Sequence, residues 1–323
     1  MITHPTRVNI CECWARDGLQ NQREVVPTGK KVEMIDRFTD LGFRKIEVTS
    51  FSNPKVVKQF ADCMELLKRI KRKPGVSYVG LVPNMRGMDR LLEAQREGFG
   101  VDEVIVIISA SEIHQKTNVG KNHPDSLADL GPIIAKALTA RMKVIGCVGT
   151  AFGCPIAGDV PLAKVVELSA WYKKEGADTI MLGDTTGMAN PVQVKRTLAE
   201  LFEKVPGIPY IAHFHDTRGV GLANTLAAWE MGVDLHDSSL GGIGGQPATD
   251  KAAYHVGFTG NACTEDLVAM FEEMGVATGI DVDPMLRVAR EAEQVVGGPS
   301  RSQVLRSGRV RHEPVEYKEA GDG

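Results

Sequence analysis

The chain has 323 residues, 43% of them hydrophobic and 24% charged, with a formal net charge of -3. Such values suit an ordinary globular enzyme with one large domain, and they remove the electrostatic case for nucleic acid as the main partner. No apolar run is long enough to span a bilayer, residues 1–7 lack a secretory or transit signature, and six irregularly spaced cysteines form no disulfide framework; together these point to a reducing, cytoplasmic setting.

Taken in order, short runs rich in Val and Ile alternate with amphipathic segments. Strands are expected over 8–13, 45–50, 77–83, 103–109, 143–152, 179–184, 210–216 and 234–239. Helices are expected between them, over 28–41, 54–70, 86–97, 124–140, 160–175, 191–204 and 219–231, with another over 264–274 after the last strand. Asn190 before Pro191 is a helix-start signal, and Gly42, Gly176 and Gly232 are stop signals. Eight such cycles predict an α/β fold, a (β/α)8 TIM barrel, with a C-terminal helical extension. The runner-up, a doubly wound sheet, would carry a glycine-rich dinucleotide fingerprint after an early strand, and none is present. The barrel is expected over 1–280, and a helix over 284–295 followed by a polar tail, ordered in part at most, makes up the rest of 281–323.

In such a barrel, chemistry sits where the strands end. The seventh strand ends in Ile211-Ala212-His213-Phe214-His215-Asp216, and alternation puts His213 and His215 on one face, close enough to share a metal ion. Asp17 after the first strand and Asn261 after the last add a carboxylate and an amide oxygen. A mixed N/O set without cysteine suits a divalent ion with open positions, Mg2+ or Mn2+, better than a structural zinc.

Several segments then resemble one family: Arg16-Asp17-Gly18-Leu19-Gln20-Asn21, Glu47-Val48-Thr49-Ser50-Phe51, Leu182-Gly183-Asp184-Thr185-Thr186-Gly187 and His213-Phe214-His215-Asp216-Thr217. The chain is similar to the 3-hydroxy-3-methylglutaryl-CoA lyases of the DRE-TIM metallolyase superfamily, from about residue 8 to 279. The resemblance implies a metal held by Asp17, His213, His215 and Asn261, and cleavage of an acyl-CoA thioester to acetyl-CoA plus a keto product, as in leucine degradation. Breaking the C2–C3 bond of a 3-hydroxyacyl thioester needs the hydroxyl proton removed and the resulting enolate stabilised. Arg16 suits the second task, and either Asp17 or His213 the first. Glu47 and Asp184 would orient Arg16 and the metal shell and help to move protons. Gln20, Thr185 and Gln246 are the expected substrate contacts. Lys55, Lys58, Asn84, Lys116 and Lys121 lie on loops suited to the rest of CoA, none singled out. A homo-oligomer is expected, without a specified interface.

The match breaks at one place. The family carries a cysteine in the glycine loop after strand eight, where this chain reads Gly244-Gly245-Gln246-Pro247, and a glutamine amide does not transfer a proton as a thiol does. Either His255, Tyr254 or Cys263 replaces the thiol, or the substrate is a relative such as citramalyl-CoA or a methylmalyl-CoA; the second is preferred. Rival readings are a condensing synthase or aldolase acting on a keto acid, and a metal-binding barrel that has lost activity.

Overall fold

The structure is a computed structural model that describes residues 4–245 and 259–314. Eight parallel strands close into a barrel in sequence order: β1 (Asn9–Glu12), β2 (Lys45–Ser50), β3 (Ser77–Leu81), β4 (Glu103–Ser109), β5 (Lys143–Gly149), β6 (Thr179–Asp184), β7 (Tyr210–Phe214) and β8 (Leu235–Ser238). β1 pairs with β8 in the register Cys11 to Asp237, which closes the ring. The TIM barrel expected from the eight cycles is the observed fold.

The outer layer is α1 (Thr28–Leu41), α2 (Cys63–Arg69), α3 (Met85–Arg96), α4 (Glu112–Val119), α5 (His123–Thr139), α6 (Leu162–Lys174), α7 (Pro191–Lys204) and α8 (Gly221–Glu230). After β8 come α9 (Thr264–Glu273), α10 (Val282–Val296) and the single turn α11 (Val304–Ser307). Two apolar regions follow from this layout. The larger lies between strands and helices; the smaller fills the lumen with Val79, Leu81, Ile105, Ile145, Cys147, Met181 and Ile211, the inward positions of alternating strand residues. Tyr172 of α6 shows how closely the layers meet: its hydroxyl donates to Val106 O at 2.7 Å, and its ring lies where a Cβ on Gly146 would come within 2.3 Å.

Two expectations are corrected. The helix expected over 54–70 is a short 3-10 turn, Lys58–Phe60, followed by α2. Gln59 breaks the continuous helix, because its buried amide accepts from Val26 N and donates to Glu24 O, tying this segment to the loop before α1. An unforeseen helix, α4, precedes α5; Ser111 caps its start and Gly120, at φ +77°, its end. The start of the polar tail is tied to the barrel. Ser302 Oγ, Gln303 N and Val304 N all donate to Asp266 at the start of α9, at 2.8, 3.0 and 2.8 Å.

Glu12 locks the site end of the barrel. Its carboxylate accepts from Trp14 N, Leu240 N and Thr264 Oγ1 at 2.9, 3.0 and 2.8 Å, joining the ends of β1 and β8 to the first turn of α9. It is fully buried, and burial pushes its carboxyl up to about 8 despite these hydrogen bonds.

Candidate metal centre and its cavity

β1 runs straight into a π-helical turn, Trp14–Gly18, all of it buried. Such wide turns place consecutive side chains unusually and recur at functional sites. Here the turn gives Arg16 and Asp17 to the same cavity. Arg16 is clamped, with Nε donating to Glu47 Oε1 at 2.5 Å and Nη1 to Asp17 Oδ1 at 2.7 Å. Burial opposes its charge, but Glu47 and Asp17 outweigh that and hold the guanidinium charged. Burial likewise works against the Asp17 carboxylate. Arg16 and the two imidazoles overcome it and hold the carboxyl well below the usual range.

β7 supplies the imidazoles. His213 and His215 face each other through Nε2 atoms 3.1 Å apart, and His215 Nε2 lies 3.4 Å from Asp17 Oδ2. The other ring nitrogens are engaged: His213 Nδ1 lies 3.0 Å from Asp237 Oδ2 and His215 Nδ1 2.8 Å from Thr185 O. Each ring is thus oriented from behind, as metal-ligating histidines are. Burial disfavours charge on His213, but its hydrogen bond to Asp237 and that residue's charge raise it overall.

Asp17, His213 and His215 can each present one ligand atom within 4.8 Å of the others. Asn261 joins them. Its Nδ2 donates to Asp17 Oδ2 at 2.7 Å and to Ile243 O at 3.0 Å, while its Oδ1 is buried without a hydrogen-bond partner among the described residues. A buried acceptor lacking a donor costs free energy, and a cation beside two imidazoles and a carboxylate would satisfy it. The four residues fit a divalent ion with mixed N/O ligands. Close approach of Gly244 keeps this corner compact: at φ +107°, a Cβ there would lie 2.5 Å from Asn261 Nδ2 and 2.7 Å from Asp17 O.

These groups form one side of a cavity of about 310 Å³. Gln20 and Thr185 also line it, and Thr185 Oγ1 accepts from Thr150 N at 2.8 Å. Glu47 lies behind Arg16. Gln246, Tyr254 and His255 lie outside the described residues.

Other expected residues sit elsewhere. Asp184 does not line the cavity; its carboxylate accepts from Met188 N and Ala189 N at 2.7 and 3.2 Å. It fixes the loop whose Thr185 carbonyl steadies His215, a hold on the metal shell made from outside the cavity. Burial pushes its carboxyl up to about 6. Cys263 is also off the cavity, with Sγ donating to Glu265 Oε2 at 2.9 Å at the start of α9, and burial pushes its thiol well up. Neither fact suits a replacement thiol. Asn84 caps α3, Lys116 pairs with Glu112 and Lys121 with Asp129, and neither these nor Lys55 and Lys58 line the cavity.

Asp237 and His114 were not singled out by sequence. Asp237 faces the lumen two residues along from Leu235, and strand alternation opposite His213 would have found it. His114 belongs to the unforeseen α4, and its Nδ1 lies 3.0 Å from Ser109 Oγ.

The HMGL-like family model matches residues 7–291. The hydroxymethylglutaryl-CoA lyase YngG of Bacillus subtilis (strain 168) is 38% identical over 304 residues, 94% of this chain and 98% of that protein. The mitochondrial hydroxymethylglutaryl-CoA lyase of Homo sapiens is 38% identical over 307 residues, 95% of this chain and 91% of that protein. A solved HMG-CoA lyase from Acinetobacter baumannii, in complex with coenzyme A and 3-methylmalate, superposes with a TM-score of 0.87 at 37% identity, covering 98% of this chain and 100% of that one.

Proposed function

Because this chain belongs to the HMGL-like family, we propose that it is a divalent-metal-dependent lyase cleaving 3-hydroxy-3-methylglutaryl-CoA or a close analogue into an acyl-CoA and a keto acid. Carbon–carbon lyase chemistry is the activity named for its relatives along nearly their whole length. The observation that carries the reading is the convergence of Arg16, Asp17, His213 and His215 on one end of one cavity, with Asn261 bonded to Asp17 and its Oδ1 lacking a donor among the described residues.

Asp17, His213, His215 and Asn261 would hold the ion. When bound, it makes the substrate hydroxyl easier to deprotonate. Asp17 and His213 are the site groups able to receive that proton. As the C2–C3 bond breaks, its electron pair passes to the thioester as an enolate, and Arg16 supplies fixed positive charge there. Glu47 holds the guanidinium plane, so Arg16 needs no reorganisation during the step. Gln20 and Thr185 would contact substrate from the cavity wall.

Gln246, in place of the family's cysteine, favours an analogue such as citramalyl-CoA or a methylmalyl-CoA over 3-hydroxy-3-methylglutaryl-CoA itself. Six free, buried cysteines favour a reducing, cytoplasmic setting. The test is acyl-CoA release from each of these thioesters with Mg2+ or Mn2+, and again with EDTA. Rapid, EDTA-sensitive cleavage of 3-hydroxy-3-methylglutaryl-CoA would remove the case for an altered substrate. Turnover of none would sink the lyase reading.

A further inference from the structure

The cavity has two unlike halves. β1 and β7 give it Arg16, Asp17, His213 and His215. From the opposite arc, β3 to β6, it is faced by Leu81, Ile105, Ile107, Cys147 and Met181, with Ser109 and Thr185 as the polar side chains at the strand ends. Burial pushes the Cys147 thiol far up, so it stays neutral and behaves as a small apolar group. Leu81, Ile105, Cys147 and Met181 are the top of the packed lumen, each at most 9% exposed.

Ile107 departs from that pattern. It is 38% exposed although its neighbours in β4 are buried, and its side chain faces the cavity. Val119, at the end of α4 on the same cavity, is 54% exposed. Apolar surface left open inside a binding cavity is surface that a ligand can cover with gain, since burial is favourable in proportion to the area removed from water.

We propose that Ile107, with Val119 and Met181, forms a specificity-determining subsite for an apolar substituent larger than methyl on the carbon that bears the substrate's hydroxyl. The inference rests on the lyase reading. That reading puts the hydroxyl and thioester against Arg16, Asp17 and the imidazoles. The remaining substituents of a tetrahedral carbon then point towards β3 to β6. A carboxylate pressed onto Leu81, Ile105 and Met181 would be desolvated without a partner, whereas an alkyl group gains there. A second polar arm has Ser109 and His114 at the rim.

The test titrates the full chain, with Mg2+ present, with 3-hydroxy-3-alkylglutarates whose alkyl group lengthens from methyl to butyl, using calorimetry. The matching CoA thioesters are assayed for cleavage in parallel. Each added methylene should tighten binding roughly fourfold until the subsite is full. Ile107→Phe should remove that gain, and Ile107→Ala should move the optimum to a longer chain. Binding that stays flat or weakens with length in the unaltered protein overturns the inference, as does a gain that survives Ile107→Phe. A binding gain lost in Ile107→Phe, without cleavage of any thioester, upholds the subsite and overturns the lyase reading. Cleavage with no dependence on alkyl length does the reverse.

Discussion

His213 Nδ1 lies 3.0 Å from Asp237 Oδ2, and this contact leaves Nε2 as the ring nitrogen turned towards His215 and Asp17. Asp237 never reaches the cavity, yet it fixes the imidazole that does. Removing it as Asp237→Ala should lower metal affinity by about 10- to 100-fold, the usual effect of losing such a support. Asp237→Asn retains an acceptor and should lose less. Mn2+ titration followed by electron paramagnetic resonance reads this directly. Unchanged affinity in Asp237→Ala would refute it.

Arg16 and Glu47 form a buried pair, their side chains 8% and 1% exposed. Arg16→Met leaves Glu47 buried without its partner, and should cost about 3–5 kcal/mol of stability. The rate should also fall by roughly 10²–10³, the scale of losing one preorganised charge donor. The double variant Arg16→Met/Glu47→Leu separates the two effects. Denaturant melts should show much of the stability restored while the rate stays low. Recovery of the rate would mean that Arg16 only fills space.

Glu12 and Glu265 are raised by burial to about 8 and about 7, against an ordinary value of 4.5 for both. Between those limits the folded chain holds protons that the unfolded chain has released. Stability is therefore fully present below about 4.5 and falls as pH rises through 7 to 8. The melting temperature should decline from pH 5 to 8. Glu12→Gln should flatten the decline above pH 7, leaving the part due to Glu265. An unaltered slope in that variant would exclude Glu12 as its source.

Gly244→Ala should damage the metal site while leaving the barrel folded. The added methyl meets Asn261 Nδ2 and Asp17 O at a φ of +107°, so it displaces two of the four proposed ligands. Far-ultraviolet circular dichroism should stay as in the parent protein while Mn2+ affinity falls at least tenfold. Retained affinity would show that the corner can relax.

The barrel was legible because each strand announces itself twice, by β-branched composition and by the turn signals that bound it. His213 and His215 were legible for the same reason, since a period of two fixes their shared face. The same rule, applied one strand earlier, would have turned Asp184 away from the lumen, because Gly183 and Thr185 line the cavity. Its place behind the Thr185 loop is a contact that the Gly-Asp-Thr pattern does not encode. Asp237 was missed because an acidic residue inside a short strand looks like any solvent-facing one until its partner across the sheet is known. The break before α2 depends on Gln59 reaching residues 24 and 26, a contact that no local pattern encodes. The eight-residue α4 carries too few turns for periodicity to show.

The hold of residues 302–304 on Asp266 has a consequence in time. Synthesis delivers the chain from its N-terminus, and β1 has no partner at β8 until more than 230 residues have emerged. Asn261 comes later still, and the segment that steadies α9 just behind it later again. On the ribosome, then, the imidazoles of β7 exist well before the corner formed by Asn261 and Asp17. A growing chain therefore lacks part of the proposed metal site until Asn261 has been made, and the four residues would hold an ion together only once β8 and α9 are in place.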